Sequence, residues 1–103
     1  MDMMKMLGQL QESQRKVEEA KIRLSNEVIQ ETTSDNLMTV NVFKNGRIQE
    51  VLFKEELLQD KEQLIDYLIL TINKALDKAQ AEFDSEIERV AKDGLPQIPG
   101  MPF

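Results

Sequence analysis

The chain holds no histidine and no cysteine. That removes the commonest general base, the commonest metal ligand and every thiolate centre. Ser13, Ser25, Ser34 and Ser85 therefore have no imidazole to activate them. Neither a G-x-S-x-G elbow nor a phosphate-cradling glycine loop is present. Glu82, Asp84, Glu86 and Glu88 recur at a spacing of two, which scatters carboxylates around a helix instead of converging them on a hard cation. They read as a solvated face. The residues whose spacing could do chemistry are cations near the start: Lys5, Arg15, Lys16, Lys21 and Arg23. On one reading they meet phosphate oxygens. On the other they belong to a salt-bridged helix surface, because Glu12 precedes Lys16 by four and Glu19 precedes Arg23 by four. The residues alone leave both open. Lys44 and Arg47 read as solubilising charges at a turn, and Lys74, Lys78, Arg89 and Lys92 are diluted by neighbouring carboxylates. No catalytic residue, metal, cofactor or small-molecule substrate is expected, and the chain reads as a non-enzyme.

The elements that would carry these cations are legible. Residues 2–25 form an amphipathic helix, with Met3, Leu7, Leu10, Val17 and Leu24 in a heptad series. Met6, Leu10, Val17 and Leu24 share one narrow stripe, while Lys5, Lys16 and Arg23 project within about 20° of one another away from it. Strand formers follow at 27–33, 37–43 and 47–53. Ser34-Asp35-Asn36 supplies the first turn, and Asn45-Gly46 supplies a second, tight one, because both residues tolerate positive φ. Residues 54–58 form a turn or helical corner. Asp60 is the expected N-cap of a long helix, with Gln63 as its capping-box partner. That helix runs from Lys61 to about Lys92 and spans roughly 45–50 Å. Gly94 ends it, and residues 95–103 form an extended Pro/Gly-punctuated tail.

The expected architecture is α+β, ordered α-β-β-β-α. Residues 1–94 make one dimerising domain and the tail makes the rest. Charged residues are 31% of the chain and aromatics only 5%, so the apolar stripes are large for a core this small. Tyr67 and Leu70 lie off the main stripe of the long helix, and every strand is apolar on both faces. A second copy of the chain is the expected cover. Net charge is −6, and residues 1–25 carry +1 against −2 for 26–53 and −5 for 54–103, so any polyanion surface belongs on the first helix. No run has the length of a membrane span or a signal peptide, and the expected compartment is the cytosol.

The order of features is specific where single motifs are not. Met3-Met4-Lys5-Met6-Leu7-Gly8-Gln9-Leu10-Gln11-Glu12 precedes Val40-Asn41-Val42-Phe43-Lys44-Asn45-Gly46. Then come Ile48, Val51, Phe53, Leu57-Leu58, Asp60 to Ile65, Ile72-Asn73-Lys74-Ala75 and a closing Pro99-Gly100-Met101-Pro102-Phe103. Over nearly its whole length the chain resembles the YbaB/EbfC family of bacterial nucleoid-associated proteins. The resemblance implies a three-stranded antiparallel meander between an N-terminal helix and a long C-terminal helix. It also implies a homodimeric tweezer that grips duplex DNA in the nucleoid, with Lys5, Arg15, Lys16, Lys21 and Arg23 as the DNA-contact candidates. Few aromatics and no evident groove-reading helix point to low sequence specificity. The chain departs from the family pattern at Ser34-Asp35-Asn36, often glycine-rich there, at Lys54-Glu55, usually Asp-Pro, and at Glu18-Glu19 among the basic residues. The rival reading is a non-DNA scaffold, a holdase-like chaperone with helices extending from a β-platform, or an adaptor that docks through its tail.

Overall fold

A computed structural model describes residues 2–93. Helix α1 (Met3–Leu24) leads into strands β1 (Val28–Thr32), β2 (Met38–Phe43) and β3 (Ile48–Phe53), a 3-10 turn (Glu55–Gln59) and helix α2 (Lys61–Asp93). The strands form one antiparallel sheet in the order β1-β2-β3. The α-β-β-β-α order and the meander are as expected. The helix stop expected at Gly94 and the tail expected at 95–103 lie outside the described residues.

Local chemistry explains the boundaries. Asp2 caps α1 by accepting a hydrogen bond from the Met4 amide at 3.0 Å. Asp60 caps α2 by accepting from the Gln63 amide at 3.1 Å. In the β1–β2 turn, Asn36 takes a left-handed φ of 61°. The Thr33 hydroxyl accepts there from the amides of Leu37 and Met38, each at 3.1 Å. The second turn departs from expectation. Phe43 N–H donates to Arg47 at 2.7 Å and Gly46 N–H donates to Phe43 at 2.9 Å, enclosing a three-residue loop. Only Gly46, at φ 92°, is left-handed. Asn45 instead accepts from the Arg47 amide at 3.2 Å, so the hairpin is a turn followed by a glycine bulge. The β2–β3 register shifts nearby, between Asn41 and Val42.

Register assigns the sheet faces. Met38, Val40 and Val42 of β2 point toward α2 and are buried, together with Leu57, Ala75 and Ala79. Alanines at 75 and 79 let α2 settle close onto β2. The opposite face carries the exposed Val28, Gln30, Thr32, Glu50 and Leu52. Glu31, 7% exposed, points to the α2 side. It meets Lys74 at 3.3 Å and Lys78 at 2.5 Å, which fixes that flank of α2 above β1.

Helix α1 lies antiparallel along the C-terminal half of α2. The Ser13 hydroxyl donates to the Ala91 carbonyl at 3.2 Å, and Arg23 reaches Glu86 at 2.6 Å. The buried face of α1 is Ser13, Ala20 and Leu24; Leu24 belongs to the predicted stripe, and Ser13 and Ala20 lie to one side of it. Met6 and Leu10, both in that stripe, are exposed. Helices approach most closely where side chains are small, so Ser13 and Ala20 define the contact more than the larger residues do. The two helices form an arm projecting from the β-platform. The molecule is 68 Å in its long dimension.

Candidate nucleic-acid interface

The arm carries all five predicted cations, but the fold gives them different surroundings. Arg15 is taken up by both Glu12 and Glu19, its Nε donating to Glu12 at 3.1 Å. Lys21 pairs with Glu18 at 3.4 Å. Arg23 pairs with Glu27 at 3.2 Å and with Glu86 of α2 at 2.6 Å. The spacing-based pairs Glu12–Lys16 and Glu19–Arg23 do not form, because Arg15 occupies both carboxylates. Among the described residues Lys5 and Lys16 make no ion pair.

Lys16 and Arg23 share the groove between the helices, which Glu19, Ala20, Arg89, Val90 and Asp93 complete. The structure thus brings together Lys16 and Arg23, two of the five predicted cations, and adds Arg89 from α2. Lys5 stands farther out on α1, and Arg15 and Lys21 face elsewhere. Local sequence spacing treated Arg89 as a weak candidate. Its place follows from the antiparallel helix packing, for which the only local signal was its spacing of three from Glu86.

The base of the arm is locked electrostatically. Arg89 first, and Arg23 second, hold the Glu86 carboxyl down at about 2. Lys44, at the β2–β3 hairpin, reaches Glu27 at 2.9 Å and Glu82 at 3.5 Å. Hydrogen bonding to Lys44 and then to Arg23 holds the Glu27 carboxyl below its ordinary range. Lys44 therefore ties hairpin to arm, a role beyond keeping the turn soluble. Among the described residues no group of three or more acidic side chains converges as a metal site would, and no helix is long and apolar enough to cross a membrane.

The arm is two helices bearing cations on a small β-platform, and comparison with known proteins gives the family. Residues 1–95 match the model of the YbaB/EbfC DNA-binding family. The chain belongs to this family. A nucleoid-associated protein of Flavobacterium johnsoniae is 42% identical over 101 residues, covering 98% of this chain and 95% of that one. One from Rhizobium meliloti is 33% identical over 105 residues, covering 97% and 94%. The fold matches an uncharacterized Helicobacter pylori protein, HP0035, with a TM-score of 0.65 at 14% identity, over 74% of this chain and 90% of that one. YbaB/EbfC membership makes this one of a family of DNA-binding proteins, not of enzymes. It directs attention to the cations that the fold leaves unneutralised.

Proposed function

We propose that this chain binds duplex DNA as a homodimer with low sequence specificity, in the nucleoid of a bacterial cytoplasm. The observation that carries the DNA reading is Lys16. Among the described residues it pairs with no carboxylate, and it lines the inter-helix groove beside Arg23 and Arg89, on the one described element whose charge balance is positive. Lys5 extends the same face of α1 outward. Arg15 and Lys21 are neutralised by neighbouring carboxylates and act as secondary contacts. Contacts of this kind are made to phosphates, which hold position without reading sequence.

Self-association is supported by an apolar strip beside β3. Lys74 and Lys78 hold one flank of α2 over β1, so the opposite flank, carrying Ile65 and Ile69, faces the β3 side. Ile65 and Ile69 are exposed at 43% and 55%, and Ile48 and Phe53 of β3 at 50% and 42%. A two-fold axis along this strip would bury it against itself. It would also leave both arms projecting, so each dimer presents the cation set twice.

Fluorescence anisotropy of a labelled duplex at about 50 and about 200 mM salt tests the DNA reading, because phosphate-driven binding weakens steeply over that range. Binding should fall with salt, and fall further in Lys16→Ala with Arg23→Ala. A folded protein that ignores duplex at the lower salt would overturn this reading and leave the scaffold or holdase-like one. Sedimentation should give a dimer for the native chain and a monomer for Ile69→Glu. An unchanged mass would rule out the β3 strip as the interface.

A further inference from the structure

One carboxylate holds both guanidiniums that line the inter-helix groove. Arg89 donates to Glu86 twice, from Nη2 to Oε1 at 2.5 Å and from Nε to Oε2 at 3.3 Å. Arg23 donates to the same Oε1 from its Nη2 at 2.6 Å. Glu86 thus accepts three hydrogen bonds from cations on two helices. A guanidinium fork fits the paired oxygens of a phosphate as well as those of a carboxylate. Each arginine has a second, longer pairing, Arg23 with Glu27 at 3.2 Å and Arg89 with Asp93 at 3.4 Å.

The surroundings leave this bridge open to exchange. The side chains of Arg23 and Arg89 are 46% and 58% exposed, so water and dissolved anions reach them. Ion pairs so open to solvent are weak. Ala20 and Val90, both buried, form the apolar lining of the groove. Lys16 lines it too and pairs with no carboxylate among the described residues. The other charged lining residues are Glu19, turned to Arg15, and Asp93, turned to Arg89.

We propose that Glu86 is an internal counter-anion, holding Arg23 and Arg89 in the place of a DNA phosphate until a phosphate entering the groove displaces it. The inference rests on the DNA reading above. It adds Arg89 to the phosphate contacts and makes Glu86 the residue that lowers affinity. In the free protein the carboxylate keeps the two guanidiniums positioned across α1 and α2, which reduces the side-chain ordering left for binding. On binding, each guanidinium exchanges one anionic acceptor for another and Glu86 is released to water. Because an anion replaces an anion, the net gain is small, and removing the internal one raises it.

Glu86→Gln tests this, since the amide oxygen still accepts from both arginines while the competing charge is gone. Asp84→Asn is the charge-matched control on the same helix, because Asp84 accepts from Gln80 at 2.8 Å and from no cation among the described residues. In duplex anisotropy at about 50 mM salt, Glu86→Gln should bind roughly tenfold tighter than the native chain, with a log–log salt slope steeper by about 0.9 for each guanidinium that then neutralises a phosphate. Asp84→Asn should stay close to native. Equal gains in the two variants would overturn the proposal, because net charge alone would account for them. A native chain that binds duplex beside a Glu86→Gln that binds no tighter overturns the counter-anion and leaves the DNA reading standing. Absence of binding by all three overturns the DNA reading itself. A second measurement uses only the native chain. On addition of duplex, the Nε–H NMR signals of Arg23 and Arg89 should shift together while that of Arg47, at the hairpin, stays. Unmoved Arg23 and Arg89 signals in a chain that binds duplex would also overturn the proposal.

Discussion

Glu86 is the residue on which the arm turns. It accepts from Arg23 of α1 and Arg89 of α2, and its carboxyl sits at about 2 against an ordinary 4.5. The folded state therefore binds fewer protons than the unfolded chain through this interval. Its contribution to stability is complete above about 4.5 and is lost as pH falls toward about 2. Urea midpoints measured from pH 5 down to pH 2 should fall more in the native chain than in Glu86→Gln, whose side chain has no charge to lose. The half of this arrangement made by Arg89 is a local i,i+3 pair and is visible in the sequence. The half made by Arg23 joins residues 63 apart, and no local pattern encodes it.

Among the elements, α2 is the one to which both the sheet and α1 are fitted. Its apolar residues were readable from their period, and Asp60 marked its start. The closeness of its approach is a property of Ala75 and Ala79, both fully buried over β2. Ala79→Leu adds volume where packing has none to spare and should destabilise by roughly 1–3 kcal/mol. Thermal unfolding would show this as a lowered Tm, whereas an unchanged Tm would mean that the helix stands farther from the sheet. Helix α1 shows the limit of periodicity as a guide. The predicted apolar row packs at its inner end, where Leu24 is buried, and its outer members sit on turns beyond the described end of α2. Ser13 and Ala20 admit the close approach, and Met6 and Leu10 are left outside.

At the scale of the whole molecule, the 68 × 26 × 16 Å body sets an exposed apolar strip apart from the cations of α1. The platform offers the apolar strip at Ile48, Phe53, Ile65 and Ile69, and the arm offers the cations. Net charge works against DNA binding overall, so affinity must come from few phosphate neutralisations, which salt dependence counts. Taking away one neutralised phosphate flattens the log–log slope of affinity against salt by about 0.9. Lys16→Ala, which removes an unpaired cation, should flatten that slope by about this amount for each protomer engaged. Arg15→Ala should change it less, because Glu12 and Glu19 already claim that guanidinium. Equal effects would mean that Arg15 leaves its carboxylates on binding DNA.

What the sequence determined by itself was the order and kind of the elements, and through that order the family. Alternating β-branched residues, a capping aspartate, a glycine that accepts a positive φ and a long uninterrupted apolar period act within a few residues of themselves, so they can be read locally. Tertiary structure decided which faces meet. It set Ser13 and Ala20 beside Leu24 of the predicted stripe at the helix contact, and joined Arg23 to Glu86, Lys44 to Glu27 and Glu82, and Glu31 to Lys74 and Lys78. It thereby decided which cations carboxylates neutralise among the described residues. Ion pairing depends on distances of a few ångströms between side chains far apart in sequence, and only the packed fold sets those distances.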